Sequence, residues 1–350
     1  MATDNFEAVA ARATGPVASF EPEKLSFTER LQRFLHHYPT AAPAFVLLVA
    51  LLGFYLVVGN RFLSPFNMSL ILQQVTIIGI VGVAQTLVVL TAGIDLSVGA
   101  IMVLCSVVMG RTAVLMGLPD VIALMLGLLV GTACGYMNGF LITRLRLPPF
   151  ITTLGTWSIF FSINLWYSKS ETIRSQDIAQ EASWLQFMGK SFDLFGAQLT
   201  IGTISMLLLF VGMWYMLNYT AWGRHVYATG DDKQAAQLAG INTDKVLLSV
   251  YVVAGAICAV AAWALIGRIG SVSPQAGQTA NLDSITAVVI GGTSLFGGRG
   301  AIMGTLIGAL VVGVFRNGLA LAGVDVLWQE FAIGLLIIIA VATDQWIRRV

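Results

Sequence analysis

The chain has 350 residues, of which 57% are hydrophobic and 11% charged, with 36 glycines and a net charge of +1; its mean hydropathy is +0.83. Soluble domains carry about 25% charged residues, so composition excludes a water-exposed enzyme, and the absence of a Lys/Arg stripe excludes nucleic acid as a partner. The solvent for this fold is lipid.

Residues Met1 to Phe20 include Asp4 and Glu7 and no apolar run, unlike a cleaved signal peptide. Ser26-Phe27-Thr28-Glu29 has capping-box spacing, and Leu31, Phe34, Leu35 and Tyr38 follow at i, i+3, i+4 and i+7. This spacing predicts an amphipathic helix on the inner leaflet, within a cytoplasmic tail over 1–42.

Apolar segments then run Pro43 to Val58, Leu70 to Leu90, Leu96 to Met116, Val121 to Ile142, Phe150 to Tyr167, Ile201 to Leu217, Val246 to Ile266, Ile285 to Phe296, Ala301 to Leu321 and Val326 to Val341. The reading is an all-α polytopic membrane protein of about ten segments. Its transmembrane domain covers 43–344, and a short cytoplasmic tail covers 345–350. With both termini inside, twelve of the 19 Lys and Arg residues fall on the cytoplasmic side and seven outside, as the positive-inside rule requires. Cys105, Cys134 and Cys258 lie within apolar runs and imply no disulfide framework.

Two polar loops stand out. Ser168 to Leu199 lies outside and offers a docking surface for an external partner. Tyr219 to Lys245 lies inside and contains helix formers from Asp231 to Ala239, stopped at Gly240. Such a helix, held between two spans, either connects them or carries force from a soluble partner.

Landmarks recur five segments apart. Asp95 and Asp283 each open an apolar segment, and Asn138-Gly139 and Asn317-Gly318 each lie near the end of one. Five is odd, so the second copy enters the membrane from the other side, giving an inverted repeat of segments 2–5 and 7–10, an arrangement typical of transporters. Gly127, Gly131, Gly135 and Gly139, and then Gly300, Gly304 and Gly308, recur every four residues and predict close helix packing. The run Gly291 to Gly298 predicts that the eighth segment is short or broken.

Charged residues in lipid are costly and ask for a role. Asp95 and Asp283, with Ser97 beside the first, serve either as helix caps or in the translocation path. Arg316 and Glu330 either pair across helices or reach the interface. No Gly-x-x-x-x-Gly-Lys-Ser/Thr loop, His-Glu-x-x-His or Cys-x-x-Cys occurs, so no catalytic residue, metal or cofactor is expected in this chain.

Three stretches together resemble the membrane (permease) subunits of bacterial ABC sugar importers of the ribose, xylose and fructose type. They are Thr91-Ala92-Gly93-Ile94-Asp95-Leu96-Ser97-Val98-Gly99, then Gly223-Arg224-His225-Val226-Tyr227-Ala228-Thr229-Gly230 running on to Ile241, and Leu282-Asp283 through Gly291-Gly292 to Gly297-Gly298-Arg299-Gly300. The likeness spans Pro43 to Asp344. Two departures are Ala92, where that family often has glycine, and the Asp231-Asp232 pair, where glycine and asparagine are more usual.

The resemblance implies a homodimer in the bacterial inner membrane, driven by a separate cytoplasmic ABC ATPase that uses ATP and Mg, and fed by a periplasmic sugar-binding protein. It places ATPase coupling on the loop with Gly223, Arg224, Ala235, Ala236 and Gly240. Gln73, Gln85, Trp157, Phe161 and Asn164 have the chemistry of a sugar path, although each also suits ordinary packing. The competing reading is an ion-coupled secondary transporter that uses Asp95 or Asp283.

Overall fold

The computed structural model describes residues 40–347 apart from 195 and 278. The interfacial helix expected over Leu31 to Tyr38 lies outside the described residues. Helix α1 (Ala41–Val58) is followed by a 3-10 turn and by α2 (Pro65–Leu90), whose Ser64 caps the Asn67 N–H with Pro65 at the first helical position. Helix α3 (Val98–Gly110) continues into a π-helical turn, and α4 (Asp120–Arg144) and α5 (Pro149–Ser168) complete the first half.

The loop after α5 folds into α6 (Ser175–Glu181), a 3-10 segment at Ser183–Gly189 and an antiparallel hairpin of β1 (Ser191–Leu194) and β2 (Ala197–Thr200). This hairpin is a small exception to the all-α expectation. It forms where the chain leaves lipid and alternates polar with apolar residues. Next come α7 (Ile201–Tyr219), the two short helices α8 (Ala221–Asp231) and α9 (Lys233–Leu238), and α10 (Thr243–Ile269). The last three are α11 (Ala280–Ile290), α12 (Ile302–Leu321) and α13 (Val326–Ile347), so α13 runs past the boundary expected at residue 345.

Each of the ten apolar segments coincides with a helix, and seven described helices are long and apolar enough to cross a membrane. Helix α5 has the length but carries Thr152, Thr153, Thr156, Ser158 and Asn164. Helix α11 has only 11 residues, about 16 Å, half of what a span needs. It starts five residues earlier than the expected Ile285 and stops at Ile290. The stretch 291–299 is loop, because Gly291 and the left-handed Gly292 end the helix.

Helix α2 is buried over most of its length, whereas α1 turns Phe45, Leu48, Leu52 and Leu56 outward. An apolar exterior is stable only against lipid, so α1 is peripheral and α2 central. Within the expected glycine stripes, Gly131, Gly135, Gly139, Gly304 and Gly308 meet backbone, whereas Gly127 meets the Met109 side chain and Gly300 lies in the loop before α12 against Thr293. A Cβ on Gly135 would overlap the Tyr251 carbonyl of α10, and one on Gly308 would overlap the Ala287 carbonyl of α11. The helix packings come in pairs related by five segments. Helix α4 on α10 matches α12 on α2, α3 on α4 matches α11 on α12, and α3 on α10 matches α11 on α2. That interchange is the contact pattern of a repeat five segments apart.

Candidate functional site

Two regions combine the residues singled out above. The first is a cavity of 270 Å³ bordered by Gly99 and Val103 of α3, Trp157 and Phe161 of α5, and Gly277 and Asn281 at the start of α11. Trp157 lies eight residues inside α5, about 12 Å from its start, so the cavity sits near the middle of that helix. Trp157 and Phe161 are one turn apart on α5 and stack with ring centroids 5.8 Å apart and planes 6° from parallel, forming an aromatic wall. Asn164 falls on the same face behind them. It is fully buried, and its Nδ2 donates to the Pro274 carbonyl at 2.8 Å, fixing the segment that leads to α11.

Here the first turns of α3 and α11 meet. Asn281 Oδ1 accepts from the Gly99 N–H at 2.6 Å, so a side chain from one half of the repeat caps the helix of the other. Sequence reasoning missed Asn281, although it lies two residues before the conspicuous Asp283. Of the expected path residues, Trp157, Phe161 and Asn164 come together. Gln73 and Gln85 do not, since Gln73 donates to the Gln198 carbonyl in the β1–β2 hairpin and Gln85 is fully buried within α2. Both polar atoms of Gln85 lack a partner among the described residues.

Asp95 lies in a re-entrant segment between α2 and α3. Its Oδ1 accepts from the Ser97 N–H at 2.7 Å and the Ser97 hydroxyl at 2.6 Å, and Asn138 Nδ2 donates to the same hydroxyl at 2.8 Å. Asn138 is six residues before the end of α4, so the cluster lies about 9 Å below that end. Asp95 thus ties down a backbone N–H ahead of α3, and no cation pairs with it among the described residues. Asp95→Asn keeps the accepting oxygen and is expected to retain most folded protein and uptake. Asp95→Ala leaves two buried donors unmet, at a cost of about 2 kcal/mol. Uptake corrected for the amount of protein in the membrane checks the ranking, and a proton relay would leave Asn as inactive as Ala.

Asp283 departs from the capping expectation. It is the fourth residue of α11, and its carboxylate goes to Arg316 Nη2 at 2.7 Å and the Thr279 hydroxyl at 3.1 Å. Arg316 Nη1 also donates to Glu330 Oε1 at 2.7 Å, joining α11, α12 and α13 through one guanidinium. The repeat-related aspartates have diverged. Asp95 holds a turn and Asp283 holds an ion pair.

The second region is the end of the bundle where all three motif stretches converge. Gly298 N donates to the Leu90 carbonyl, and the Tyr227 hydroxyl of α8 donates to the Gly300 carbonyl at 3.0 Å, burial pushing this phenol's pKa up. Gly230 is packed so tightly against Leu90 that an added Cβ would overlap its carbonyl. Ala92 adopts a left-handed φ of 60° next to Gly297, which accounts for glycine being the easier residue there. Thr220 caps α8 at the Gly223 N–H.

Asp232 caps α9 at the Gln234 and Ala235 N–H groups, and Gly240, with φ 86°, closes it with a Gly240 N–H to Gln237 carbonyl bond and an Ile241 N–H to Ala236 carbonyl bond. Arg224 and Ala235 are exposed on this surface, whereas Ala236 is turned inward and buried. Leu238, 91% exposed, is the apolar residue that α9 presents outward. Sequence reasoning passed over it because helix formers on so short a helix give no periodicity from which to read a face.

Residues 67–341 match the family described as the permease component of branched-chain amino acid transport systems. The chain belongs to this family. Among curated relatives, the fructose import permease protein of Rhizobium meliloti is 58% identical over 348 residues, covering 99% of this chain and 97% of the relative. The ribose import permease protein of Bacillus subtilis (strain 168) is 39% identical over 83% of this chain and 88% of its own. The autoinducer 2 import system permease protein of Photorhabdus luminescens is 30% identical over 87% and 89% respectively. No solved structure matches the chain significantly. The chain is therefore a multi-pass membrane permease and a transport subunit, and the family's members carry more than one class of substrate.

Proposed function

We propose that this chain is the membrane subunit of an ATP-driven, binding-protein-dependent importer of a monosaccharide, with fructose as the first substrate to test. The observation that carries the reading is the 58% identity to a fructose import permease along almost the entire length of both chains. The cavity agrees with a neutral solute, since no ionisable side chain lines it. A zwitterionic amino acid would enter such a site with its charges uncompensated, at a cost of several kcal/mol.

The chain works as a homodimer in the bacterial inner membrane with both termini in the cytoplasm. A separate ABC ATPase that uses ATP and Mg binds at α8 and α9, through Arg224, Ala235 and the exposed Leu238, and a periplasmic sugar-binding protein docks on the outer loop between α5 and α7. Residues 1–42 form the cytoplasmic tail, and 43–344 the permease domain. The convergence of the three motifs supports this assignment: movement of α8 against Gly298 and Gly300 reaches Leu90 and the Asp95 turn through direct contacts.

The test is reconstitution in proteoliposomes with and without the ATPase and a fructose-loaded binding protein. Uptake that needs both partners and ATP is expected, and uptake driven by an ion gradient in the chain alone would favour the secondary transporter. Sidedness is read by single-cysteine labelling of intact cells with an impermeant reagent. Gln180→Cys in α6 is expected to react and Gln234→Cys in α9 to be protected; the opposite result inverts the topology.

A further inference from the structure

We propose that the stacked pair Trp157 and Phe161 and the amide of Asn281 form a contact point for the sugar in transit, with Asn281 donating to a sugar hydroxyl. This rests on the sugar-import reading above. Asn281 uses its Oδ1 on the Gly99 N–H, which fixes the orientation of the amide. Its Nδ2 has no partner among the described hydrogen bonds and belongs to a residue that lines the cavity. Opposite chemistry comes from α5, where two stacked, nearly parallel rings offer an apolar aromatic face.

A monosaccharide has the matching pair of surfaces. Its axial C–H groups form an apolar face that lies on an aromatic ring, and its hydroxyls form a polar edge that accepts from an N–H. The volume of 270 Å³ is close to the ~300 Å³ lower end of ligand pockets, which suits one sugar ring. One neutral donor and one aromatic wall give weak binding, and a path must bind loosely enough to release its cargo inward. The absence of charge in the lining separates this place from Asp95 and from the Arg316 ion pair.

The experiment compares the wild type with Asn281→Asp, Trp157→Ala and Trp157→Phe in proteoliposomes containing the ATPase and fructose-loaded binding protein. Fructose uptake and ATP hydrolysis are measured together, and the amount of inserted dimer is quantified. Asn281→Asp keeps an acceptor for Gly99 and removes the N–H donor from the cavity, and Trp157→Phe keeps a flat ring.

Uptake per ATP is expected to fall by on the order of tenfold in Asn281→Asp, the size of one lost hydrogen bond, and comparably in Trp157→Ala. Trp157→Phe is expected to recover most of it, with ATP hydrolysis within about twofold of wild type throughout. Unchanged uptake per ATP in both damaging variants overturns the proposal, and so does a parallel loss of uptake, hydrolysis and inserted protein, which marks a structural role alone. A wild type that hydrolyses ATP with its partners but moves no sugar sinks the sugar-import reading itself, a result separate from any ranking among variants.

Discussion

Replacing Arg316 by methionine is expected to cost about 3 kcal/mol of stability, because it strands a carboxylate that pairs with no other cation among the described residues. The Asp283 side chain is 9% exposed and that of Arg316 23%, so the pair is mostly shielded from water and from salt. Glu330 is 47% exposed, and Glu330→Gln should therefore cost at most about 1 kcal/mol, as for a surface pair. The double variant Arg316→Met with Asp283→Asn removes both the guanidinium and the stranded charge, and is expected to recover more than half of the loss. The measurement is the thermal midpoint of purified protein in detergent, followed by size-exclusion chromatography. Equal losses from Arg316→Met and Glu330→Gln would show that the inner bond is not the one that holds α11.

The existence and order of the helices were legible because lipid imposes a simple requirement: each segment needs a long apolar run with its own hydrogen bonds satisfied. The five-segment offset of Asp95 and Asp283 was legible too, and the paired helix packings follow it. Residue roles were less so. Asp283 and Asp95 hold equivalent positions in sequence, but the partner that distinguishes them, Arg316, is 33 residues further on. The same holds for Asn281, whose role depends on Gly99, 182 residues away. Chemistry alone singled out Trp157, Phe161 and Asn164, which share a face of α5, but it singled out Gln73 and Gln85 with them. The burial of Gln85 and the inward turn of Ala236 depend on neighbouring helices, which a single sequence does not name. The start of α11 was misplaced because Asn281, Asp283 and Ser284 are polar and stand ahead of the apolar run from Ile285, whereas its early end at Ile290 is the break that Gly291 and Gly292 predict.

The largest effect on transport is expected from Gly230. It is the penultimate residue of α8, and a Cβ there would overlap the Leu90 carbonyl and stand 2.8 Å from the Gly298 nitrogen. Both neighbours are backbone, bonded to each other through the Gly298 N–H and the Leu90 carbonyl, so neither yields by changing a rotamer. Gly230→Val therefore forces α8 away from the junction. The spans remain packed through contacts that do not involve α8, so insertion should survive at near wild-type levels. ATP-driven uptake should fall by about a hundredfold, since a misplacement near 1 Å in a fitted contact carries losses of that order. Gly212→Ala, on α7 with open space around its Cα, supplies the control. It should leave uptake unchanged and raise helix stability slightly, by roughly 1 kcal/mol. Binding of the ATPase to membranes separates the two ways in which Gly230→Val could act. Retained ATPase with lost uptake places the defect in transmission from α8 to the Asp95 turn, whereas lost ATPase places it in docking. Full uptake by Gly230→Val would mean that the junction of the three motifs does not carry the stroke.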